Sequence, residues 1–406
     1  MMGSTTSTSY PLQAFSLWIH TFPPRIGSEK TFDLAMRYFV ESGEAFRCRR
    51  EVAESLAPAT RENALTSLRC AMSVPKVDDS ILLAISLHVF AEVFIALGTF
   101  HYVAHIRGLS HILHSRIASL SCIEKDLDFM LINSTYLEEI TDALRRGRDC
   151  IYDTKASTAA TSRQCVRLTA PDVASTALIQ QFVKIPRLAR LVRACAACPT
   201  NTVLLSETTQ LAEELYFSPV GDLVTRSIGE VGQIQTLTPR VAQVLEQSLQ
   251  YSSIEEFALA IRFETYRVLL SGILQTLHWL DPFSSQFDIE AIESQDTEAA
   301  TIIAMSVDYA MTVDRSLPLP ALRILTPLQY SFGAWYRLAK RQCGNTQGMY
   351  GVLMQEWSLC TSNAILKDWK APEDSLSDIC TRSESFAGAR MVYPLAHPWE
   401  TLGPGG

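Results

Sequence analysis

Apolar side chains recur along this chain with the period of an α-helix rather than that of a strand. One early segment shows it most simply. Its apolar positions are Phe32, Ala35, Met36, Phe39 and Val40. Steps of three and four residues place these side chains on one face of a helix. Alternation with a period of two is nearly absent, and no Asn-Gly or Asp-Gly pair marks a hairpin turn. The pattern therefore predicts an all-α protein.

The same period predicts helices along most of the chain. They cover residues 64–72, 82–104, 204–215, 241–249, 254–280, 297–313, 322–341 and 350–369. Ser28 or Thr31 is expected to cap the helix that carries Phe32. Asp78 and Asp79 place negative charge at the start of the 82–104 helix, where the helix dipole favours it.

These helices are predicted to form one large irregular domain over residues 23–370. Two segments, 153–176 and 281–297, are predicted to be exposed loops because they are polar and carry Pro171 and Pro282. Residues 1–22 are predicted to be a flexible N-terminus, and residues 371–406 a C-terminal tail. No fixed period of about 34 or 40 residues supports a regular solenoid.

The segment 82–104 is apolar and long enough to cross a bilayer. It also contains His88, Glu92 and His101, and an ionisable group at mid-membrane costs about 2.5–3.5 kcal/mol on insertion scales. No positively charged flank fixes an orientation. A buried core helix, broken near Gly98, is therefore favoured over a membrane span.

Composition and charge narrow the class of protein. The 406 residues are 47% hydrophobic and 19% charged, which suits a folded chain with a sizeable core. The net charge of −8 argues against autonomous DNA binding, because phosphate contacts need a basic face. The first ten residues lack the pattern of a signal peptide. Irregularly spaced cysteines then predict reduced thiols in the cytosol or nucleus.

The motifs of common enzyme classes are missing or incomplete. The chain has no Gly-Lys pair and no G-x-G-x-x-G, so neither phosphate-binding loop occurs. The segment Gly108-Leu109-Ser110-His111-Ile112 begins like a nucleophile elbow but ends in isoleucine. It also lies in a predicted helix, whereas the elbow follows a strand. We therefore predict no enzyme activity, no catalytic residue and no cofactor.

Metal ligands are also incomplete. Most histidines cluster in one stretch, as His88, His101, His105, His111 and His114. His101 and His105 are one helical turn apart, a spacing that can chelate a metal, but no cysteine or carboxylate completes a tetrahedral set. The single C-x-x-C, Cys195 to Cys198, has no second pair nearby. The sequence predicts packing or surface histidines, structural thiols and no bound metal.

Basic residues form a stripe on one predicted helix. The stripe consists of Lys184, Arg187, Arg190 and Arg193, and a second basic spot consists of Arg145, Arg146 and Arg148. Nucleic acid or an acidic partner could use either, but no aromatic residues interleave for base stacking. A solvated helix face is favoured.

An ordered set of short motifs crosses the N-terminal third. They are Pro23-Pro24-Arg25-Ile26-Gly27, Phe32-Asp33-Leu34-Ala35, Asn63-Ala64-Leu65 with Leu68-Arg69, Asp78-Asp79 with Leu82-Leu83-Ala84, Glu92, and His105-x-x-Gly108 followed by Leu113 and Arg116. Leu322-Arg323-Ile324-Leu325-Thr326-Pro327-Leu328-Gln329 stands near the other end. The order resembles the regulatory domain of fungal binuclear zinc-cluster transcription factors. In that family a Y-x-x-A-L element and a helix with a late Glu precede H-x-x-G. The resemblance covers about residues 25–369, with a poorly matched middle.

The resemblance implies a helical regulatory domain, here over residues 23–370, that works in the nucleus. Control of a metabolic, secondary-metabolite gene cluster is the expected setting. His105 and Gly108 would let two helices approach closely. Arg61 departs from the family by replacing its tyrosine. The chain also carries no six-cysteine cluster, so direct promoter recognition is not implied.

The expected partners are therefore proteins, either the transcription machinery or a separate DNA-binding regulator. No membrane partner is expected. A homodimer is an open alternative, and the cytoplasm is a second expected location besides the nucleus. Two alternatives remain: a helical scaffold unrelated to transcription, and a helical enzyme similar to terpene cyclases. Asp78-Asp79 lacks the further acidic residue of that class's magnesium motif. Promoter occupancy separates the first two readings, and a magnesium-induced or substrate-induced thermal shift would support the enzyme.

Overall fold

The computed structural model of the protein describes residues 17–48, 58–73, 77–99, 101–120, 126–162, 170–282, 286–314 and 317–387. Helices make up most of this part, and a single pair of short strands accompanies them. The predicted all-α class is confirmed. One main hydrophobic core runs from Trp18 to Trp369, so the helices pack together as one body.

The helices of the first half are α1 (Lys30–Arg47), α2 (Pro58–Met72), α3 (Asp79–Ala96), α4 (His101–Leu120), α5 (Asp126–Arg146), α6 (Lys155–Ser162), α7 (Ala170–Phe182) and α8 (Ile185–Ala197). Short 3-10 turns cover Leu17–Thr21, Pro23–Arg25 and Leu97–Thr99.

The second half contains α9 (Thr202–Tyr216), α10 (Val220–Ser227), β1 (Gly232–Gln235), α11 (Pro239–Ala242), β2 (Gln247–Gln250), α12 (Ile254–Leu280), α13 (Ile289–Met305), α14 (Val307–Thr312), α15 (Leu319–Arg341), α16 (Thr346–Asp368) and α17 (Leu376–Ala387).

Helix α12 lies at the centre of the core. It packs against α8, α13 and α15, and apolar residues on nearly every side of it are buried. A helix that is apolar all round is stable only where other elements surround it. The Ser253 side chain starts the helix by accepting a hydrogen bond from the Glu256 N–H at 3.1 Å.

The apolar segment 82–104 is a buried helix that breaks where the sequence predicted. The Asp78 side chain caps α3 by accepting a hydrogen bond from the Ile81 N–H at 3.0 Å. The helix ends at Ala96, and a 3-10 turn containing Gly98 leads to α4. Within the described residues, this is the one helix long and apolar enough to cross a membrane, and 78% of its apolar window is buried inside the fold.

Glu29, rather than Ser28 or Thr31, caps α1. Its side chain accepts a hydrogen bond from the Phe32 N–H at 2.7 Å. Glutamate is an uncommon cap, and the cap preferences of short polar residues had favoured its two neighbours. Both predicted caps were therefore wrong, although each lies within two residues of the true cap.

The polar segments 153–176 and 281–297, predicted to be loops, are partly helical. The first contains α6 and the start of α7, and the second contains the first half of α13. The Asp288 side chain caps α13 by accepting hydrogen bonds from two backbone N–H groups. These helices bury narrow apolar faces, such as Ala174 and Leu178 on α7. Polar residues on their exposed faces outnumber the apolar ones, so the helical period is weak in the sequence.

The helix predicted over residues 241–249 is wrong. The structure has an antiparallel hairpin there, with Gly232 of β1 opposite Gln250 of β2. The Asp308 carboxylate holds the connecting loop, because it accepts hydrogen bonds from the N–H groups of Leu237 and Thr238 at 2.9 Å each. These long-range contacts have no signature in the local sequence.

Both predicted terminal segments contribute to the packing. Trp18 and Phe22 are buried, and the Trp18 ring stacks on Phe90 of α3 with centroids 5.7 Å apart. Within the predicted tail, α17 packs on α15 through Ile379 and Phe332. The rest of these segments, residues 1–16 and 388–406, lies outside the described part of the chain.

Gly108 does not mediate the close helix contact that the resemblance implied. A Cβ atom added there would meet no atom within 4 Å, outside its own helix backbone. The close approach occurs instead at Gly351, where α16 crosses α15. A Cβ atom at Gly351 would lie 2.8 Å from the Ala339 nitrogen and 2.9 Å from the Trp335 carbonyl oxygen. Backbone packed against backbone leaves no room for a side chain.

Candidate functional site

Two side chains from other helices bind the carboxylate of Glu92 in α3. Glu92 is only 1% exposed. Arg61 of α2 donates to its two oxygens at 3.0 and 2.9 Å, and the Tyr38 hydroxyl of α1 donates at 2.8 Å. A buried carboxylate is tolerated only when such partners replace its hydration. The Glu92 cluster (Tyr38, Arg61 and Glu92) therefore ties α1, α2 and α3 together.

Two histidines extend the Glu92 cluster. The His88 ring lies 5.3 Å from those of Tyr38 and His105, measured between centroids. Burial, with a smaller contribution from the neighbouring His105, lowers the pKa of His88 to about 3. Burial also lowers the pKa of His105, although Glu92 opposes this shift. Both imidazoles are therefore neutral near pH 7.

The other clustered histidines are more accessible. His101 is exposed and lies 3.8 Å from a Glu92 oxygen, His111 is exposed, and His114 is half-buried. No group of three or more His, Cys, Asp or Glu side chains that could hold a metal ion occurs in the described ranges.

The C-x-x-C pair joins α8 to α9. The Cys195 thiol is buried and lies 3.2 Å from the Thr208 hydroxyl of α9. Cys198 is exposed, and its backbone N–H closes the end of α8. Both cysteines carry free thiols. Their placement fits the structural role predicted for them.

Carboxylates cover the predicted basic stripe on α8. Lys184 pairs with Glu214. Arg187 lies 2.9 Å from Asp153, and Arg190 lies 2.8 Å from Asp149. The fourth member, Arg193, is half-buried. The predicted solvated face is therefore a face of ion pairs, because the segment before α6 folds back over it.

The second basic spot is also largely paired. Arg148 donates to Glu139 at 2.6 Å and to Asp142 at 2.9 Å, and Arg146 donates to Asp142 at 3.1 Å. The Arg145 side chain is exposed. Arginine groups that already bind carboxylates hold less positive potential for phosphate.

A cavity of about 700 Å³ opens between α3, α4, α5, α12, α15 and the segment 371–374. Sites for small molecules usually measure about 300–1,000 Å³. Apolar side chains line most of this cavity, including Trp18, Val89, Phe90, Ile106, Phe257 and Ile261. We call it the central cavity.

Charged side chains from several elements line the central cavity. They are Glu138 of α5, Arg262 of α12 and Arg323 of α15, together with Asp142, Arg145, Glu373, Asp374 and Asp378. Glu138 keeps exposed surface, yet burial raises the pKa of its carboxyl group. The charges of Arg262 and Arg323 act in the opposite direction on this pKa.

Arg323 lies in the same poorly solvated environment. Burial and, to a smaller extent, the nearby positive charge of Arg262 lower the pKa of Arg323 to about 10. Glu138 and Glu255 oppose that shift. Burial in a low-polarity environment disfavours the charged form of a guanidinium group. The Arg323 side chain therefore lies in a poorly hydrated part of the cavity wall.

Neutral partners fix the orientation of Arg262. It donates to the side-chain oxygen and the backbone oxygen of Asn133, at 3.0 Å each, and its guanidinium carbon lies 5.4 Å from the centre of the Tyr136 ring. Asn133 in turn accepts a hydrogen bond from Ser175 of α7 at 3.0 Å. Arg262 is thus held in one orientation by neutral groups. Among the described side chains it forms no ion pair at contact distance, although its charge acts on the Glu138 carboxyl group.

Other polar groups at the cavity tie its walls together. The Thr141 and Tyr330 hydroxyls share a hydrogen bond of 2.8 Å between α5 and α15. Gln329 donates to Asp374 at 2.7 Å and connects α15 to the segment 371–374. Among described atoms, the Trp18 indole N–H has no hydrogen-bond partner, although Trp18 is 1% exposed and lines the cavity.

Sequence reasoning found no site residue, and it missed the central cavity. Glu138, Arg262 and Arg323 lie far apart in the chain and match no short motif. The one available signal was their position inside apolar helices: Arg262, for example, directly follows the apolar run 257–261. A charged residue beside a buried helix face marks a position that needs a partner.

The two clusters differ in what they can do chemically. Internal hydrogen bonds satisfy the Glu92 cluster, so it stabilises helix packing. The central cavity places charged side chains, among them Glu138, Arg262 and Arg323, beside an open and mostly apolar volume, so it is the candidate functional site. No protein-family model, curated protein or solved structure matches this chain. The role of each cluster therefore follows from its own geometry.

Proposed function

We propose that this chain is a transcription-regulator-like protein that acts in the nucleus through protein contacts and controls a metabolic gene cluster. The observation that carries the proposal concerns the ordered motifs of the N-terminal third. Arg61 and Glu92 bind each other, and His105 stacks on His88 beside them. Glu92 and His105 are residues of the quoted motifs, whereas Arg61 stands where the family has tyrosine. Their meeting in space supports a single packing unit in the N-terminal third, which is what a regulatory domain of the fungal type would need.

Protein contacts suit this chain better than direct DNA contacts. Its net charge is −8, and most of its clustered arginines already bind carboxylates. Binding to duplex DNA draws much of its affinity from several phosphate contacts. The proposed partner is the transcription machinery or a separate DNA-binding regulator, with a homodimer as a further arrangement. No catalytic step is part of the proposal.

A tethering experiment tests the proposal. The full chain fused to a heterologous DNA-binding domain should change the output of a reporter, while the DNA-binding domain alone should not. The purified chain should give no sequence-specific shift of a promoter fragment at physiological salt. Deleting the gene should alter the expression of a defined set of genes.

Other outcomes would contradict the proposal or favour one of the two alternatives. Sequence-specific DNA binding by the isolated chain would contradict the proposed mode of action. A silent fusion together with an unchanged transcriptome would favour the scaffold alternative. A thermal shift induced by magnesium, with turnover of a substrate, would favour the helical enzyme.

A further inference from the structure

We propose that the central cavity binds a neutral, largely apolar organic molecule. The molecule would fill the apolar volume between the helices and would carry no formal charge of either sign. This site lies beyond the transcriptional role and does not depend on it.

Size and lining point to an organic molecule rather than an ion. The cavity measures about 700 Å³, within the usual range of sites for small molecules. Its wall includes aromatic rings from three parts of the chain, those of Trp18, Phe90 of α3 and Phe257 of α12. The Trp18 and Phe90 rings stack with their centroids 5.7 Å apart. An apolar molecule that replaces water at such a wall removes apolar surface from solvent, which is favourable.

Two hydroxyl groups of the lining are already used within the protein. Ser86 of α3 donates to the Leu82 carbonyl oxygen at 3.0 Å. Ser134 of α5 donates to the Leu131 carbonyl oxygen at 2.8 Å. Because both hydrogens bind backbone oxygens of their own helices, these hydroxyl groups add little polarity to the wall.

The charged residues of the lining have both signs, and they favour neither sign on a ligand. Asp142 binds arginine side chains, and Asp374 accepts a hydrogen bond from Gln329. Arg262 donates to two oxygens of Asn133. A charged ligand would have to compete with these partners while losing its own hydration. A neutral ligand avoids that cost.

The poorly hydrated part of the wall disfavours charge of either sign. Burial raises the pKa of the Glu138 carboxyl group, so it disfavours the anion there. Burial also lowers the pKa of Arg323 to about 10, so it disfavours the cation. An ionic group of a ligand at this wall would meet the same penalty. The other charged residues of the lining, Arg145, Glu373 and Asp378, are exposed, and water and salt screen their charges.

Binding to the purified full chain can be measured by fluorescence titration. One probe is N-phenyl-1-naphthylamine, which is neutral at physiological pH and fluoresces in apolar surroundings. The second probe, 8-anilino-1-naphthalenesulfonate, has the same rings and carries one sulfonate. The neutral probe should saturate a single site and bind about tenfold or more tightly than the anion. Octanol should displace it at concentrations about tenfold or more below those of octanoate and octylamine, which share its chain length and are charged.

Variants that fill the cavity locate the site. Val103→Trp enlarges a half-buried side chain of the cavity wall on α4, so it should weaken binding of the neutral probe by about tenfold or more. Val203→Trp is the matched control, because Val203 is 77% exposed on α9 and lies outside the cavity lining. Leu322→Trp fills the cavity from α15 and should weaken binding even if Val103→Trp fails to fold. Circular dichroism checks the helical fold of each variant.

Several results would overturn the proposal. They are equally tight binding of the sulfonate and the neutral probe, displacement by octanoate or octylamine at the concentrations that octanol needs, and no saturable binding of the neutral probe up to its solubility limit. A folded Val103→Trp or Leu322→Trp chain that binds the neutral probe as well as the wild type would also overturn it. None of these results depends on the reporter experiment, so failure of the cavity proposal and failure of the transcriptional proposal are distinguishable.

Discussion

The guanidinium group of Arg61 binds both carboxylate oxygens of Glu92, at 3.0 and 2.9 Å. The side chain of Arg61 is 40% exposed, whereas that of Glu92 is 1% exposed. The pair therefore bridges the protein surface and the buried side of α3. Because Tyr38 donates to the same carboxylate, one acid satisfies partners on two helices.

Removing Arg61 should be costly because Glu92 stays buried. Arg61→Ala is expected to lower the free energy of unfolding by about 3 kcal/mol, the cost typical of leaving one partner of a buried ion pair uncompensated. Arg37→Ala is the control, since Arg37 forms an exposed pair with Glu41 and should lose less than about 0.5 kcal/mol. Urea unfolding measures both. Equal losses would show that burial of Glu92 does not decide the effect.

Acid should destabilise the protein partly through His88. Burial lowers the pKa of His88 to about 3 in the folded chain, against about 6.5 when unfolded. Between these values only the unfolded chain binds the proton. The stability that neutral His88 contributes is therefore fully present above about pH 6.5. It falls by up to about 1.4 kcal/mol per pH unit as the pH drops towards 3.

The His88→Asn variant should therefore lose less stability than the wild type between pH 7 and pH 4, because this proton uptake is gone. His111→Asn, which changes an exposed histidine, should follow the wild type. Urea unfolding at a series of pH values gives the slopes. Parallel curves for all three proteins would show that His88 takes up its proton in the folded state as well.

Two helical glycines should respond in opposite directions to the same change. Gly351→Ala places a methyl group against the α15 backbone and should lower the free energy of unfolding by about 1–3 kcal/mol. Gly108→Ala meets no atom within 4 Å and should raise it by up to about 1 kcal/mol through helix propensity. Thermal unfolding compares them. A destabilised Gly108→Ala variant would instead support the close helix contact at Gly108 that the sequence resemblance implied.

Asp308 should control the hairpin rather than the whole fold. Its buried carboxylate accepts hydrogen bonds from the Leu237 and Thr238 N–H groups. In Asp308→Ala these amides lose charge-assisted bonds worth about 1.5–3 kcal/mol each, so they should exchange with deuterium faster. Asp222→Ala, an exposed control on α10, should leave their exchange unchanged. Unaltered exchange in Asp308→Ala would mean that the strand pairing alone holds the loop.

Local features of the sequence determined the helical class and several helix ends. The period of apolar residues predicted residues 254–280 as a helix with the bounds that α12 has. Gly98 marked the break after α3, and the acidic pair Asp78-Asp79 marked its start, where Asp78 is the cap. These features depend on residues within a few positions of one another, because helical hydrogen bonds and caps span three or four residues.

Only the tertiary structure decided which residues meet. The pairing of Arg61 with Glu92, the close approach at Gly351 and the hairpin held by Asp308 all join residues distant in sequence. The central cavity is the extreme case, because Glu138, Arg262 and Arg323 come from three helices. A linear pattern records which face of each helix is apolar, whereas helix packing determines where those faces leave a space and which charges line it.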